Sequence, residues 1–487
     1  MRTIISMLSC VILLAAGAAS GAEFQPLGTL GIGGAGVART FDAYAPYWNP
    51  AGLAFPASGF SSRLGGSAGI RINATMAENV DRLGKLDVEQ LQDLSINNPG
   101  DTATNLRLTS RAAEFVGVLN DLERKEGTLS VHGGAVLGFQ YGHFAVGGFS
   151  SMELTALPST DTTAVSFGGV ASVAELATAI GAGTATPGSF FDASQRAAIA
   201  TAFNGNTGIA NAFDSFYTTN RTATGLSPEQ LKDSLVKMGT ALASGQTSLE
   251  NNRSTLEYRG LILVDIPVSY GYPIDLGSFG KLGIGASAKV IWGRAFIGES
   301  QIVNIKDSGD IVKNVTDHFQ DTTTFGIDLG ALWRYGDWLN VGVVAKNLNS
   351  PEFDSPRVTL PIRGTVQETI RVKPQVRAGI AVEPLSWLSL AADLDLTENE
   401  TLLLGHKNRT LGGGIELHPF TWLKLRGGVY KNLAEGEIGI VPTFGLTLGS
   451  PWVHFDLDGA TALENGQFEG RSYPREARAQ FNLNVQF

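Results

Sequence analysis

The last eleven residues constrain this chain most. Ala477, Ala479, Phe481, Leu483, Val485 and Phe487 are apolar, and Arg478, Gln480, Asn482, Asn484 and Gln486 between them are polar. Side chains alternate across a strand, so this pattern gives one greasy and one wet face. With Phe487 last, the sequence offers nothing to cover the greasy face or pair the free edge, an arrangement that water-soluble proteins avoid. Lipid against the greasy face and closure of the edge onto the first strand remove both problems. The alternative is the last strand of a soluble sandwich, and the rest of the chain decides between them.

Charged residues are only 17% of the chain and glycine is 60 of 487 residues, a mixture that suits many strands. The net charge of −10 argues against nucleic acid as a partner. Residues 1–22 read as a secretory signal, with Arg2 at the front, an apolar core running through Val11 to Ala19, and small Ser20-Gly21-Ala22 before the cut. Cleavage near Ala22 would also remove Cys10, the only cysteine, so no disulfide, thiol nucleophile or cysteine ligand is expected afterwards. No later run of about 20 apolar residues suggests a transmembrane helix. Export then leads to periplasm, secretion or a barrel in the outer membrane.

A glycine-rich segment follows, with Gly31, Gly33, Gly34 and Gly36, and then Asp42 and Asn49-Pro50-Ala51-Gly52-Leu53. The glycines satisfy the spacing of a dinucleotide-binding loop. That reading needs a strand before, a helix after and a second strand soon, and Pro46, Pro50 and Pro56 break such elements. From residue 57 onward, alternating segments recur as one opening strand, six hairpins and one closing strand. Fourteen is an even number, as bacterial single-chain barrels use. Short turns alternate with long connections, and the long ones include helical inserts at about 76–127 and 158–252. In the second, Ser227-Pro228-Glu229-Gln230 is a helix start, followed by Leu231, Leu235, Met238 and Leu242 at helical spacing. Trp333, Trp338, Trp387, Trp422 and Trp452, five of the seven tryptophans, sit beside short turns, as an interfacial aromatic belt requires. The fold expected is all-β, a 14-stranded antiparallel transmembrane β-barrel spanning 57–487. Residues 23–56 form a hatch or plug in its lumen, and the helical inserts are external.

The face opposite the lipid carries Asp265, Asp328, Asp393, Asp395, Glu416, Asp456 and Asp458, with Arg63, Arg71, Arg259, Lys289, Lys346, Arg377, Arg426 and Arg478 among the cations. Opposite charges in a narrow lumen pair with each other or hold a plug; direct substrate contact is the alternative. The six histidines lack metal-ligand spacing, and no nucleophile motif stands out. The reading is therefore no enzyme, no cofactor and no metal.

The glycine-rich start, Asp42, the Asn49-Pro50-Ala51-Gly52-Leu53 run and fourteen strands together resemble the FadL family of outer-membrane transporters for long-chain fatty acids and other hydrophobic compounds. The likeness is closest to a divergent branch labelled TraF-like. The terminal strand with Phe481, Leu483, Val485 and Phe487 resembles the signal read by the barrel assembly machinery. The resemblance implies a hatch holding Asn49, Pro50 and Ala51, capture at external helical loops, and exit through a kinked third strand. Gly147 and Gly148 stand in that strand, where a side opening and ordinary barrel glycines are both readings. The partners implied are outer-membrane lipid of a Gram-negative bacterium and a hydrophobic small-molecule ligand, with a surface protein as a further partner. The functional expectation is a plug-gated channel for hydrophobic small molecules such as fatty acids or hydrocarbons. A platform for protein secretion, conjugation-related or surface assembly is the alternative, and a general porin the third.

Overall fold

The computed structural model describes residues 24–487 apart from 73–75, 77, 80–81, 83–100, 125–126, 162–169, 222–225, 246–251, 302–317, 361–363, 404–405, 437 and 469–470. The expected signal segment, residues 1–22, lies outside the described residues, as do parts of both inserts.

Fourteen strands close into a barrel in sequence order. They are β1 Phe60–Ile72, β2 Leu129–Tyr141, β3 Phe144–Ser159, β4 Thr255–Asp275, β5 Lys281–Gln301, β6 Phe319–Tyr335 and β7 Leu339–Lys346. The other half is β8 Gln375–Leu385, β9 Leu388–Asp395, β10 Thr410–Phe420, β11 Leu423–Asn432, β12 Val441–Gly449, β13 Val453–Thr461 and β14 Glu476–Gln486. The ring closes where β14 pairs antiparallel with β1, from Ser61 opposite Gln486 to Arg71 opposite Glu476. Phe487 completes the seam. Its N–H donates to the Phe60 carbonyl at 3.0 Å, its carbonyl accepts from the Phe60 N–H at 2.9 Å, and the two rings stack at 4.9 Å.

The period-2 pattern decides which face is which. On β14, Phe481 and Leu483 point outward and are exposed, while Gln480, Asn482 and Asn484 are buried in the lumen. The same alternation exposes Val268, Val290, Phe325, Ile327 and Phe444 and buries Ser269, Lys289, Asp328 and Thr443. An apolar belt of this extent is not stable in water, and with a polar interior it makes the chain a membrane-spanning barrel. Trp338, Trp387, Trp422 and Trp452 are exposed at the short-turn end, and the half-buried Trp333 ties its indole N–H to the Phe279 carbonyl at 2.7 Å.

The lumen is filled by the segment that precedes β1. It contains a 3-10 turn at Leu30–Ile32, the short helix α1 Ala45–Trp48 and a second 3-10 turn at Pro50–Ala54. At the long-loop end, α2 Thr102–Arg124 comes from the first insert, and α3 Val173–Ala179, α4 Ala193–Ala202, α5 Thr207–Thr219 and α6 Pro228–Ala243 come from the second. The sequence treats these inserts as separate. In the fold they share one core, in which Ala113 and Val116 of α2 pack with Phe203, Phe213, Leu231, Leu235 and Met238.

Capping boxes at Asp192/Gln195 and Ser227/Gln230 start α4 and α6. Gln230 also donates to Asp121 at 2.8 Å, joining the two inserts. Tyr217 and Ser110 share a hydrogen bond of 2.6 Å, and burial holds the Tyr217 phenol well above its ordinary pKa. The described helices thus turn their apolar faces toward each other, so they form a compact cap.

Below the cap, two connections fold into the barrel mouth. Phe353, Val372 and Leu402 are buried against Leu261, Leu263 and Ile291 of the wall. A Cβ on Gly293 would collide with the Phe353 ring, so that glycine makes the notch the ring occupies.

Candidate functional site: the plugged lumen and a gap in its wall

The hatch touches the wall nearly all the way round, and two rows of luminal glycines let it approach. In the first row, Gly271, Gly285 and Gly330 are cross-strand neighbours on β4, β5 and β6. A Cβ on Gly285 would collide with the backbone of Pro50 and Ala51. One on Gly271 would collide with Leu53 and Ala54, and one on Gly330 with the Asn49 side chain. In the second row, on β10 to β12, a Cβ on Gly412 would collide with the backbone of Gly33 and one on Gly428 with that of Ile32 and Gly33, and Gly31 lies against the Gly445 backbone so closely that a Cβ on Gly31 would collide with it. The turn there needs positive φ at Gly33 (68°) and Gly34 (76°), which favours glycine over any residue with a Cβ.

Asn49 is fully buried and makes three bonds. Its amide donates to the Val37 carbonyl at 3.1 Å and the Ala331 carbonyl of β6 at 3.2 Å, and its oxygen accepts from the Ala51 N–H at 3.0 Å. It also caps the Pro50–Ala54 turn, where the proline occupies the first position and lacks only a donor that would be unpaired there. The Asn-Pro-Ala run therefore joins the hatch to itself and to the wall.

Charged and polar wall residues hold the rest. Asp393 accepts from the Gly36 and Val37 N–H groups at 2.8 and 2.9 Å, and Lys346 donates to the Tyr47 carbonyl at 2.8 Å. Arg478 donates to Gln25 at 2.8 Å, Arg39 pairs with Glu416 at 2.9 Å, and Arg63 pairs with Asp42. Other luminal charges pair within the wall: Lys289 with Asp265 and Asp328 at 2.9 and 3.1 Å, Arg377 with Asp395 at 2.6 Å, and Arg426 with Asp458 at 3.2 Å.

Gly147 and Gly148 lie at a break in the wall. The β3–β4 ladder runs from Phe144–Tyr270 to Val146–Val268, skips Gly147 and Gly148 opposite Pro267 and Ile266, and resumes at Phe149–Asp265. Proline has no N–H to give, which accounts for the missing rung. Behind the break, Phe149 stacks on Tyr47 at 5.7 Å and packs with Phe24, Tyr44 and Trp48 of the hatch. A polar cavity of about 50 Å³ lies near the outer mouth among Arg71, Glu153, His406, Tyr430 and Glu476. Among the described residues, no group of three or more His, Cys, Asp or Glu side chains could hold a metal ion.

Of the residues that the sequence singles out, the structure places Asn49, Pro50, Ala51, Gly31, Gly33 and Gly36 against the inner wall, Gly34 in the turn beside Gly33, Gly147 and Gly148 at the break in the ladder, and the wet-face charges in the lumen. The wall glycines and the aromatic cluster emerge only in the fold. The one available signal was glycine recurring at luminal parity, as in Gly283 and Gly285.

These features define a membrane-spanning β-barrel with a plugged lumen. Residues 46–395 match the family described as "F plasmid transfer operon, TraF, protein", and the chain belongs to that family. This is the branch that the N-terminal motif indicates. No curated protein matches the chain. Among solved structures, it is similar to the Ralstonia pickettii toluene transporter TbuX, at 12% identity and a TM-score of 0.47, covering 95% of this chain and 98% of that one. It is similar to the P. putida toluene transporter TodX, at 12% identity and a TM-score of 0.42, covering 96% and 99%. It is also similar to a Pseudomonas aeruginosa FadL homologue, at 10% identity and a TM-score of 0.42, covering 97% and 99%.

Proposed function

We propose that this protein is a gated channel in the outer membrane of a Gram-negative bacterium that passes hydrophobic small molecules, such as fatty acids or hydrocarbons, between the cell surface and the membrane. Residues 1–22 direct export and are cleaved near Ala22, and residues 23–56 act as the gate. The carrying observation is the missing rung at Gly147 and Gly148 with the aromatic cluster directly behind it. A break in a barrel ladder leaves backbone groups unpaired at membrane depth, which is tolerated where the backbone lines a cavity or path. Apolar rings beside it suit an apolar passenger.

The test uses Gly148→Leu. A Cβ there meets nothing within 4 Å, so the barrel accepts it. The added side chain covers the gap from outside, and uptake of a hydrophobic compound by cells should fall at least tenfold. Unchanged uptake by a correctly assembled variant would remove the side route.

A second reading, an outer-membrane platform for secretion, conjugation-related or surface assembly, is favoured by the helical cap with its own core and by the family description. Replacing residues 102–124 and 170–243 with short linkers separates the two. Lost co-purification of a protein partner with normal uptake supports the platform. Lost uptake supports the channel.

A further inference from the structure

The hatch is held in two unlike ways. Its ends, Leu30–Gly33 and Pro50–Ala54, rest backbone against backbone in the two glycine rows. Such seating is released only if the whole turn lifts. The middle, residues 34–48, is held by side chains: Glu416, Arg63, Ser61 and Asn482 meet Arg39, Asp42, Ala43 and Tyr44, and three adjacent strands hold its two flanks. Asp393 of β9 holds the Gly36 and Val37 N–H groups, and Lys346 of β7 holds the Tyr47 carbonyl.

The same lysine lies 4.0 Å from the Tyr47 ring centre and 4.5 Å from that of Phe24. Arg377 of β8, itself fixed by Asp395, stands 4.3 Å over Phe24 and 5.7 Å from Trp48. Charge-assisted hydrogen bonds and cation–π contacts are strong, but each is a single contact that can be exchanged for another. On the opposite side, Tyr47 stacks on Phe149, next to the gap at Gly147 and Gly148, and Phe24 and Trp48 belong to the same cluster.

We infer that Lys346, Arg377 and Asp393 form a latch that draws the middle of the hatch onto β7–β9, so the gate moves by release of residues 34–48 while both ends stay seated. The inference rests on the gated-channel reading, to which it adds the moving part and the residues that position it. The three residues are positioning residues for the gate. Residues 38–46 join the two contacts in one short stretch, so release at one contact is transmitted along it to the far contact.

Hydrogen–deuterium exchange on the full chain in detergent micelles tests this, with Lys346→Met read at the Gly36 and Val37 amides and Asp393→Ala read at the Trp48 and Asn49 amides. Each readout is remote from the substituted contact. At least tenfold faster exchange is expected there, with residues 30–33, residues 50–54 and the strands unchanged. Lys346→Arg should restore the slow rate, since it keeps the charge and a donor.

Unchanged exchange at the remote amides overturns the latch. A rise spread over both ends and the strands also overturns it, because that is a loss of general stability. Uptake measured on the same variants keeps the two proposals apart. Local loosening with unaltered uptake leaves the latch standing and sinks the gated channel, whereas altered uptake without loosening does the reverse.

Discussion

Gly285→Leu is expected to turn a closed barrel into one that conducts steadily. The strand itself accepts the change, because Gly285 is not among the positive-φ glycines and leucine is at least as compatible with a strand as glycine. The obstacle is the hatch. A Cβ at this position collides with the Pro50 and Ala51 backbone, and neither can swing aside as a flexible side chain would. Overpacking typically costs about 1–3 kcal/mol where neighbours adjust, and lifting the Pro50–Ala54 turn also breaks the bond from Asn49 to Ala331. Displacement of the hatch is then the cheaper response, since the barrel ladder is far more extensive than this one docking contact.

In a planar bilayer the unaltered protein should carry no steady current and the variant should carry a stable one. Gly427→Leu is the control, since a Cβ there meets nothing within 4 Å, and it should remain closed. A closed Gly285→Leu barrel would mean that the hatch does not seal the lumen by this seat.

The strands and the closing seam are legible in the sequence because alternation is a local property. Phe481, Asn482, Leu483 and Asn484 state their faces without reference to any other element. The tryptophans beside short turns likewise mark one end of the barrel. The hatch motif is legible because Asn49-Pro50-Ala51 is contiguous, and its three bonds start from one side chain.

The seat beneath it is not legible, for a physical reason. Gly271, Gly285 and Gly330 become neighbours only through the register of three strands, and a glycine adds little to either face of an alternating pattern. The shared helical core has a similar explanation. An amphipathic stripe such as Leu231, Leu235 and Met238 says that something covers it, but not that α2, from another insert more than 100 residues earlier, supplies part of that cover. Phe353 is hidden in the same way, since the notch that receives it is defined by the absence of a side chain at Gly293. Pairing that depends on register or on a missing atom leaves little trace along one chain.

Asn49→Ala should change transport most while leaving the barrel intact. The substitution removes bonds to Val37, Ala331 and Ala51, the last of which caps the Pro50–Ala54 turn. At about 1 kcal/mol for each bond, the hatch loses about 3 kcal/mol of support. Since 1.4 kcal/mol is a factor of ten, the displaced state would become about 100-fold more populated. None of these bonds belongs to the strand ladder, so the barrel should assemble and keep its resistance to unfolding in detergent.

If movement of the hatch limits passage, uptake of a hydrophobic compound rises or loses its dependence on ligand concentration. Asn49→Asp serves as the second variant: it keeps the acceptor for the Ala51 N–H but turns a buried carboxylate toward the Val37 and Ala331 carbonyls, and should release the hatch at least as far as Asn49→Ala. Wild-type uptake by both variants, with the barrel shown to be folded, would mean that the hatch is a fixed stopper and would move the function to the helical cap. The fully buried amide of Asn49, which bonds at once to the hatch and to β6, makes it the residue at which that question is most sharply posed.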